Sequence, residues 1–139
     1  MVNVLDKVRP KNKEQLKQLI NYAFKHNIYD LNFIDTSKIT DMSNLFINCE
    51  YDIDVSNWDV SNVTDMASMF YYCKNFDCDL SNWDVSNVKD MSYMFTVCEN
   101  FKGKGLENWD VSKVEDMKYM FGGCDKMTIP NWYKLYHKK

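Results

Sequence analysis

Two kinds of side chain able to do chemistry, carboxylates and thiols, recur at fixed spacing along this chain of 139 residues. Asp35, Asp59, Asp84 and Asp110 each precede a serine by two positions (Ser37, Ser61, Ser86 and Ser112), and Asn57, Asn82 and Asn108 precede the last three aspartates by two. Stacked copies of such a motif, about 4.8 Å apart, would repel by about 1 kcal/mol per carboxylate pair in water and about 3.5 kcal/mol at an effective dielectric of 20. The row therefore needs compensation. Two readings are open: each Asp accepts hydrogen bonds from nearby Ser, Asn or backbone groups and specifies a turn, or the row is a recognition face for a basic partner. Calcium would need more converging oxygens than one Asp per copy supplies.

Cys49, Cys73, Cys98 and Cys124 follow the same step, and Cys78 stands outside it. With no CxxC pair and no histidine nearby, the set reads as small buried thiols, not as a zinc site. His26 and His137 are isolated, and no nucleophile elbow or phosphate-cradling glycine loop is present among four glycines in all. The expectation is a protein without enzymatic activity, cofactor or metal.

These residues belong to a repeat. Asp-Met pairs place Met at 42, 66, 91 and 117, with phenylalanines four residues on (Phe46, Phe70, Phe95, Phe121) and the cysteines seven on. Steps of 24, 25 and 26 residues are those of stacked repeats. Three apolar columns precede each pair: Leu31, Val55, Leu80 and Leu106; Ile34, Trp58, Trp83 and Trp109; Thr36, Val60, Val85 and Val111. Alternation over Trp83, Asp84, Val85 and Ser86 predicts a short strand with Trp and Val inward. Met66, Met69, Phe70 and Cys73, at i, i+3, i+4 and i+7, predict an amphipathic helix. Thr64 is then its N-cap, with Asp41, Asp65, Asp90 and Asp116 in the first turns.

Residues 1–30 read as an N-terminal cap whose helix, over 11–27, has Asn12 as N-cap and a stripe of Leu16, Leu19, Ile20, Ala23 and Phe24. Residues 31–132 hold four repeats plus a half-repeat carrying Ile129 and Trp132, and 133–139 form a tail. Phe33 and Tyr133 lie at the two ends of the Asp face, either anchoring a partner or packing under the caps. Tyr93 and Tyr119, with Tyr72 nearby, make a second candidate patch on the opposite half.

The strings NWDVSNVTDMASMFYYCKNF and NWDVSNVKDMSYMFTVCENF resemble the BspA-type leucine-rich repeat, also described as the Mycoplasma lipoprotein-associated repeat. That resemblance implies an α/β fold, a short right-handed solenoid with a parallel sheet on one face and short helices on the other. It also implies a binding role, since such proteins are mostly bacterial surface proteins associated with adhesion.

A net charge of −3 and 45% hydrophobic residues describe a globular chain with no apolar run of membrane-spanning length. One arginine against sixteen lysines is the bias of an AT-rich genome, pointing to a bacterium or its phage. Met1 to Pro10 has no apolar h-region, so the expected location is cytoplasmic, or the cell surface if a leader was removed. The expected function is a monomeric protein-interaction module whose partner is a protein, with no direct nucleic-acid or membrane contact. Two alternatives stand beside it: a small intracellular inhibitor of phage or mobile-element origin that mimics nucleic-acid charge, and a fragment of a bacterial surface adhesin.

Overall fold

The computed structural model describes residues 7–137; the chain's first six and last two residues, parts of the cap and tail regions named above, lie outside the described residues. The repeats stack one copy on the next, and the bonds that join them run from alternate amides. In the second copy the N–H groups of Met66, Ser68, Phe70 and Tyr72 donate to the carbonyls of Asp90, Ser92, Met94 and Thr96 at 2.8–2.9 Å. The first and third copies use the same four positions toward their own successors.

Those bonds overturn the expected α/β architecture. Among the described residues there is no strand, hence no parallel sheet, and only two short helices, α1 (Lys13–Lys25) and α2 (Asn131–Tyr136), neither in one of the four full repeats. Where a helix was expected the chain makes two successive turns, closed by Met69 N–H on Met66 O (3.2 Å) and Cys73 N–H on Phe70 O (3.0 Å). The third residue of each turn has positive φ, 57° at Ser68 and 60° at Tyr72, the sign a type II turn requires there. Two consecutive four-residue turns bring positions 0, 3, 4 and 7 inward, the same spacing as a helix face. Amides committed to the next copy cannot also close i→i−4 bonds. Thr64 and the four aspartates therefore cap no helix: Asp41, Asp65, Asp90 and Asp116 instead accept from the amide two residues on, at 2.8–3.0 Å.

The other half has the expected burial without the expected strand. Trp83 and Val85 face inward and Asp84 outward, but Trp83 N–H closes on Leu80 O at 3.2 Å and Val88 N–H on Val85 O at 3.0 Å. Backbone spent on local turns leaves no ladder, so β-pairing between copies shrinks to isolated parallel bridges such as Asp41–Asp65, Asp65–Asp90 and Asp90–Asp116. Side chains make up the difference. The indole N–H groups of Trp58, Trp83, Trp109 and Trp132 donate to Leu31, Val55, Leu80 and Leu106 carbonyls of the preceding copy at 2.8–3.2 Å. Thr36 is buried because its hydroxyl reaches Asp59 O at 2.8 Å.

The core is a set of like-on-like columns. Phe46, Phe70, Phe95 and Phe121 stack at 5.5–5.7 Å with ring planes within 7°, each such pair contributing about 0.5–1.5 kcal/mol beyond its buried area. The 26-residue step to the fourth copy brings Gly105 to the position held by Asp54 and Asp79. With φ of 94°, and with a Cβ that would stand 2.2 Å from Ser81 N, only glycine fits there.

α1 begins at the expected cap, Asn12, whose side chain accepts from Gln15 N–H at 2.9 Å, and it buries Leu16, Ile20 and Ala23 against the first copy. α2 covers part of the other end, with Tyr133 packed edge-on to Phe121 at 4.9 Å. Neither helix is long and apolar enough to cross a membrane.

Trp83→Ala removes both a core side chain and an inter-copy bond, so it is expected to lower stability by roughly 3–5 kcal/mol in denaturant unfolding. Trp83→Phe, which loses chiefly the indole bond, should cost about 1 kcal/mol.

Candidate functional site

The Asp–Ser row runs along the half of each copy that was expected to be strand. In Asp59 and Asp84 one oxygen, Oδ1, accepts both the amide (3.0 Å) and the hydroxyl (2.6 Å) of the serine two residues on. Asp110 Oδ1 accepts Ser112 N–H at 3.0 Å, and Asp35 Oδ1 accepts Ser37 N–H at 3.0 Å. These are Asx turns, in which the side chain substitutes for a backbone acceptor. Copies are then tied along the row by Asn62 Nδ2 to Ser37 O (2.8 Å) and Asn87 Nδ2 to Ser61 O (2.7 Å).

What remains free is the second carboxylate oxygen. Asp59, Asp84 and Asp110 are exposed, and their Oδ2 atoms have no hydrogen-bond or ion-pair partner among the described residues. Asp35 differs, because Arg9 Nε binds its Oδ2 at 2.8 Å. Asn57, Asn82 and Asn108 are exposed beside the row, while Phe33 and Tyr133 are half-buried against the core.

The serine bonds also answer the repulsion that the row implies. The Ser37 hydroxyl and amide, helped by Arg9 and opposed by burial, lower the Asp35 carboxyl to about 2. The Ser86 hydroxyl and amide hold Asp84 below the usual carboxylate range against burial and the charge of Asp110. Asp110 is held low in the same way by Ser112.

The sequence reading passed over a second row of the same kind, Asp54 with Ser56 and Asp79 with Ser81, bonded at 2.9–3.0 Å. The same Asp-x-Ser spacing was the available signal.

The thiols form a buried column with a bonding role. Cys73, Cys98 and Cys124 donate to the carbonyls of Phe46, Phe70 and Phe95 in the preceding copy at 2.9–3.0 Å. Burial pushes Cys73 up to about 12 and Cys124 to about 11, and raises Cys98 as well. Cys78 is also buried and raised to about 12, which leaves Cys49 as the most accessible of the five. The free-thiol assignment applies to all of them.

The opposite half carries Tyr71, Tyr72, Tyr93 and Tyr119, with Tyr93 and Tyr119 stacked at 5.4 Å. Tyr72, Tyr93 and Tyr119 all have positive φ, 53–60°, where a non-glycine residue costs roughly 1–2 kcal/mol. Tyr119 is 65% exposed.

A family model described as "Mycoplasma protein of unknown function, DUF285" matches residues 14–132. No curated protein and no solved structure matches the chain.

A thiol reagent at pH 8 is expected to label Cys49 first and the other four far more slowly, read by mass spectrometry of the native protein; fast labelling of Cys73 and Cys98 would contradict the buried column. Because the folded carboxyl of Asp35 lies below its unfolded value of about 3.9, its contribution is present above about pH 4 and lost as pH falls toward 2. Asp35→Asn should therefore shallow the acid decline of stability in that window.

Proposed function

The chain belongs to the DUF285 family of Mycoplasma proteins of unknown function, and on that premise we propose that it is a non-enzymatic module that binds a protein partner with a basic surface through the Asp–Ser row. The observation that carries this reading is the division of labour within each carboxylate: Oδ1 is fixed by its serine while Oδ2 of Asp59, Asp84 and Asp110 stays exposed. A carboxylate already immobilised by its own turn loses little further rotamer freedom when it meets a lysine or arginine. A line of them, repeated by the stack, steers and registers a cationic partner more than it adds raw affinity.

The isolated histidines support the non-enzymatic part. His26 is exposed at the C-cap of α1, with Nδ1 2.8 Å from Tyr22 O, and His137 packs against Tyr133. The narrower kinship with BspA-type repeat proteins belongs to the same reading; it rests on the NWDVSNV and Asp-Met strings and agrees with a binding role.

The test uses a fluorescein-labelled decalysine peptide titrated with the full chain and with a triple variant, Asp59→Asn, Asp84→Asn and Asp110→Asn. Asparagine keeps the Asx acceptor and loses only the charge that Ser86 and Ser112 favour, so the variant should stay folded at a slightly lower midpoint while binding about tenfold more weakly. The wild-type affinity should also fall as salt shortens the screening length. Equal binding by wild type and variant would remove the Asp–Ser row from the proposal.

A further inference from the structure

Every internal junction of the stack is made by amides of one copy and carbonyls of the next, and the fourth copy has no successor among the described residues. Its Met117 N–H is taken by the hydroxyl of Tyr136 at 3.3 Å. The N–H groups of Tyr119, Phe121 and Gly123 have no acceptor among the described residues. Three donors thus stand along one edge on alternate residues, at the spacing that receives a row of carbonyls everywhere else in the molecule.

Each donor ends a chain of bonded peptide units. Asn44 N–H meets Ala67 O, Ser68 N–H meets Ser92 O, and Tyr93 N–H meets Lys118 O, after which Tyr119 N–H points onward; the Phe121 and Gly123 amides end parallel chains. Peptide units aligned in this way polarise one another, which makes the terminal N–H groups stronger donors. Beside them lies a cavity of about 650 Å³ lined by Tyr119, Phe121, Ile129 and Tyr133, with Lys118 and His137 also in its wall. Donors with an adjoining apolar cavity fit a backbone that brings acceptors together with an apolar side chain.

A second copy of the chain is a poorer match. Its own acceptor row would be the first copy's carbonyls at Asp41, Ser43, Leu45 and Ile47, and α1 stands over them: Lys13 Nζ bonds Ser43 Oγ at 2.9 Å, and Ile20 and Phe24 share a cavity with Leu45 and Ile47.

We propose that this edge, separate from the Asp–Ser row, binds a peptide segment of another protein that follows the same two-turn path as the accepting segments inside the stack. Carbonyls on alternate residues accept from Tyr119, Phe121 and Gly123, and one aromatic or large aliphatic side chain enters the adjoining cavity. Tyr119, held at φ of 53° where the first copy has Asn44, supplies the exposed wall of that cavity.

The test is amide-resolved NMR of the ¹⁵N-labelled chain with a synthetic peptide copying residues 87–99 and carrying Cys98→Ser, since that segment performs the accepting role inside the stack. On titration the Tyr119, Phe121 and Gly123 amides should shift and become protected from hydrogen exchange. Those of Tyr93, Phe95 and Val97, already bonded, should stay protected throughout. Tyr119→Asn, the residue found at the equivalent left-handed position in the first copy, should keep the fold and weaken peptide binding about tenfold. Three results would overturn the proposal: no change at the three amides under saturating peptide, shifts confined to Asp59, Asp84 and Asp110, or protection of the three amides by raising the concentration of the chain alone, which would make a second copy the occupant.

Discussion

The structure depends on one commitment: in the turn half of each of the first three copies, alternate amides bond to the next copy and not to their own. Helix is excluded by that commitment, because the same N–H cannot serve both partners. Left-handed φ at Ser68 and Tyr72, and at their equivalents, follows from it, since the turns must aim successive peptide units in one direction. So does the core, in which phenylalanine lies on phenylalanine and tryptophan on tryptophan at a single repeat spacing. A stack built this way has chemically different ends, carbonyls at one and amides at the other, and each needs its own cover.

Side chains carry much of what main chain does in a sheet. Aspartates close turns, tryptophan indoles and cysteine thiols bond across copies, and asparagines link the serine carbonyls of adjacent copies. A hydrogen bond of this kind contributes about 0.5–1.5 kcal/mol net, and it adds a second donor to a carbonyl that already accepts a turn amide of its own copy, as Val55 O does from Trp58 N–H. The repeated Trp, Cys and Asp columns are therefore structural first. Any recognition must use what they leave over: one carboxylate oxygen in each of three aspartates, an exposed row of tyrosines, and the amides at the last edge.

These leftovers favour different chemistry. The Asp–Ser row is anionic and immobilised by its own turns, which suits cations. The C-terminal edge offers donors beside aromatic walls, which suits a peptide backbone. A rigid stack can present both because its copies are held by the same bonds throughout, and neither surface has to reorganise the other.

The periodicity alone determined a great deal: the four copies, the inward columns of Trp, Phe, Met and Cys, the capping role of Asn12, and the alignment of the aspartates with the serines. Those are properties of residue type and spacing, and burial obeys them whatever the backbone does. The backbone itself was not legible, because two consecutive turns and one helix place the same positions inward, and alternation at Trp83–Ser86 fits a strand or a chain of turns equally well. Only the stacked structure decided between them, by giving the alternate amides an acceptor 23 to 25 residues away. The open edge at Tyr119, Phe121 and Gly123 was hidden for the same reason, since a donor without a partner shows only once every other donor's partner is known.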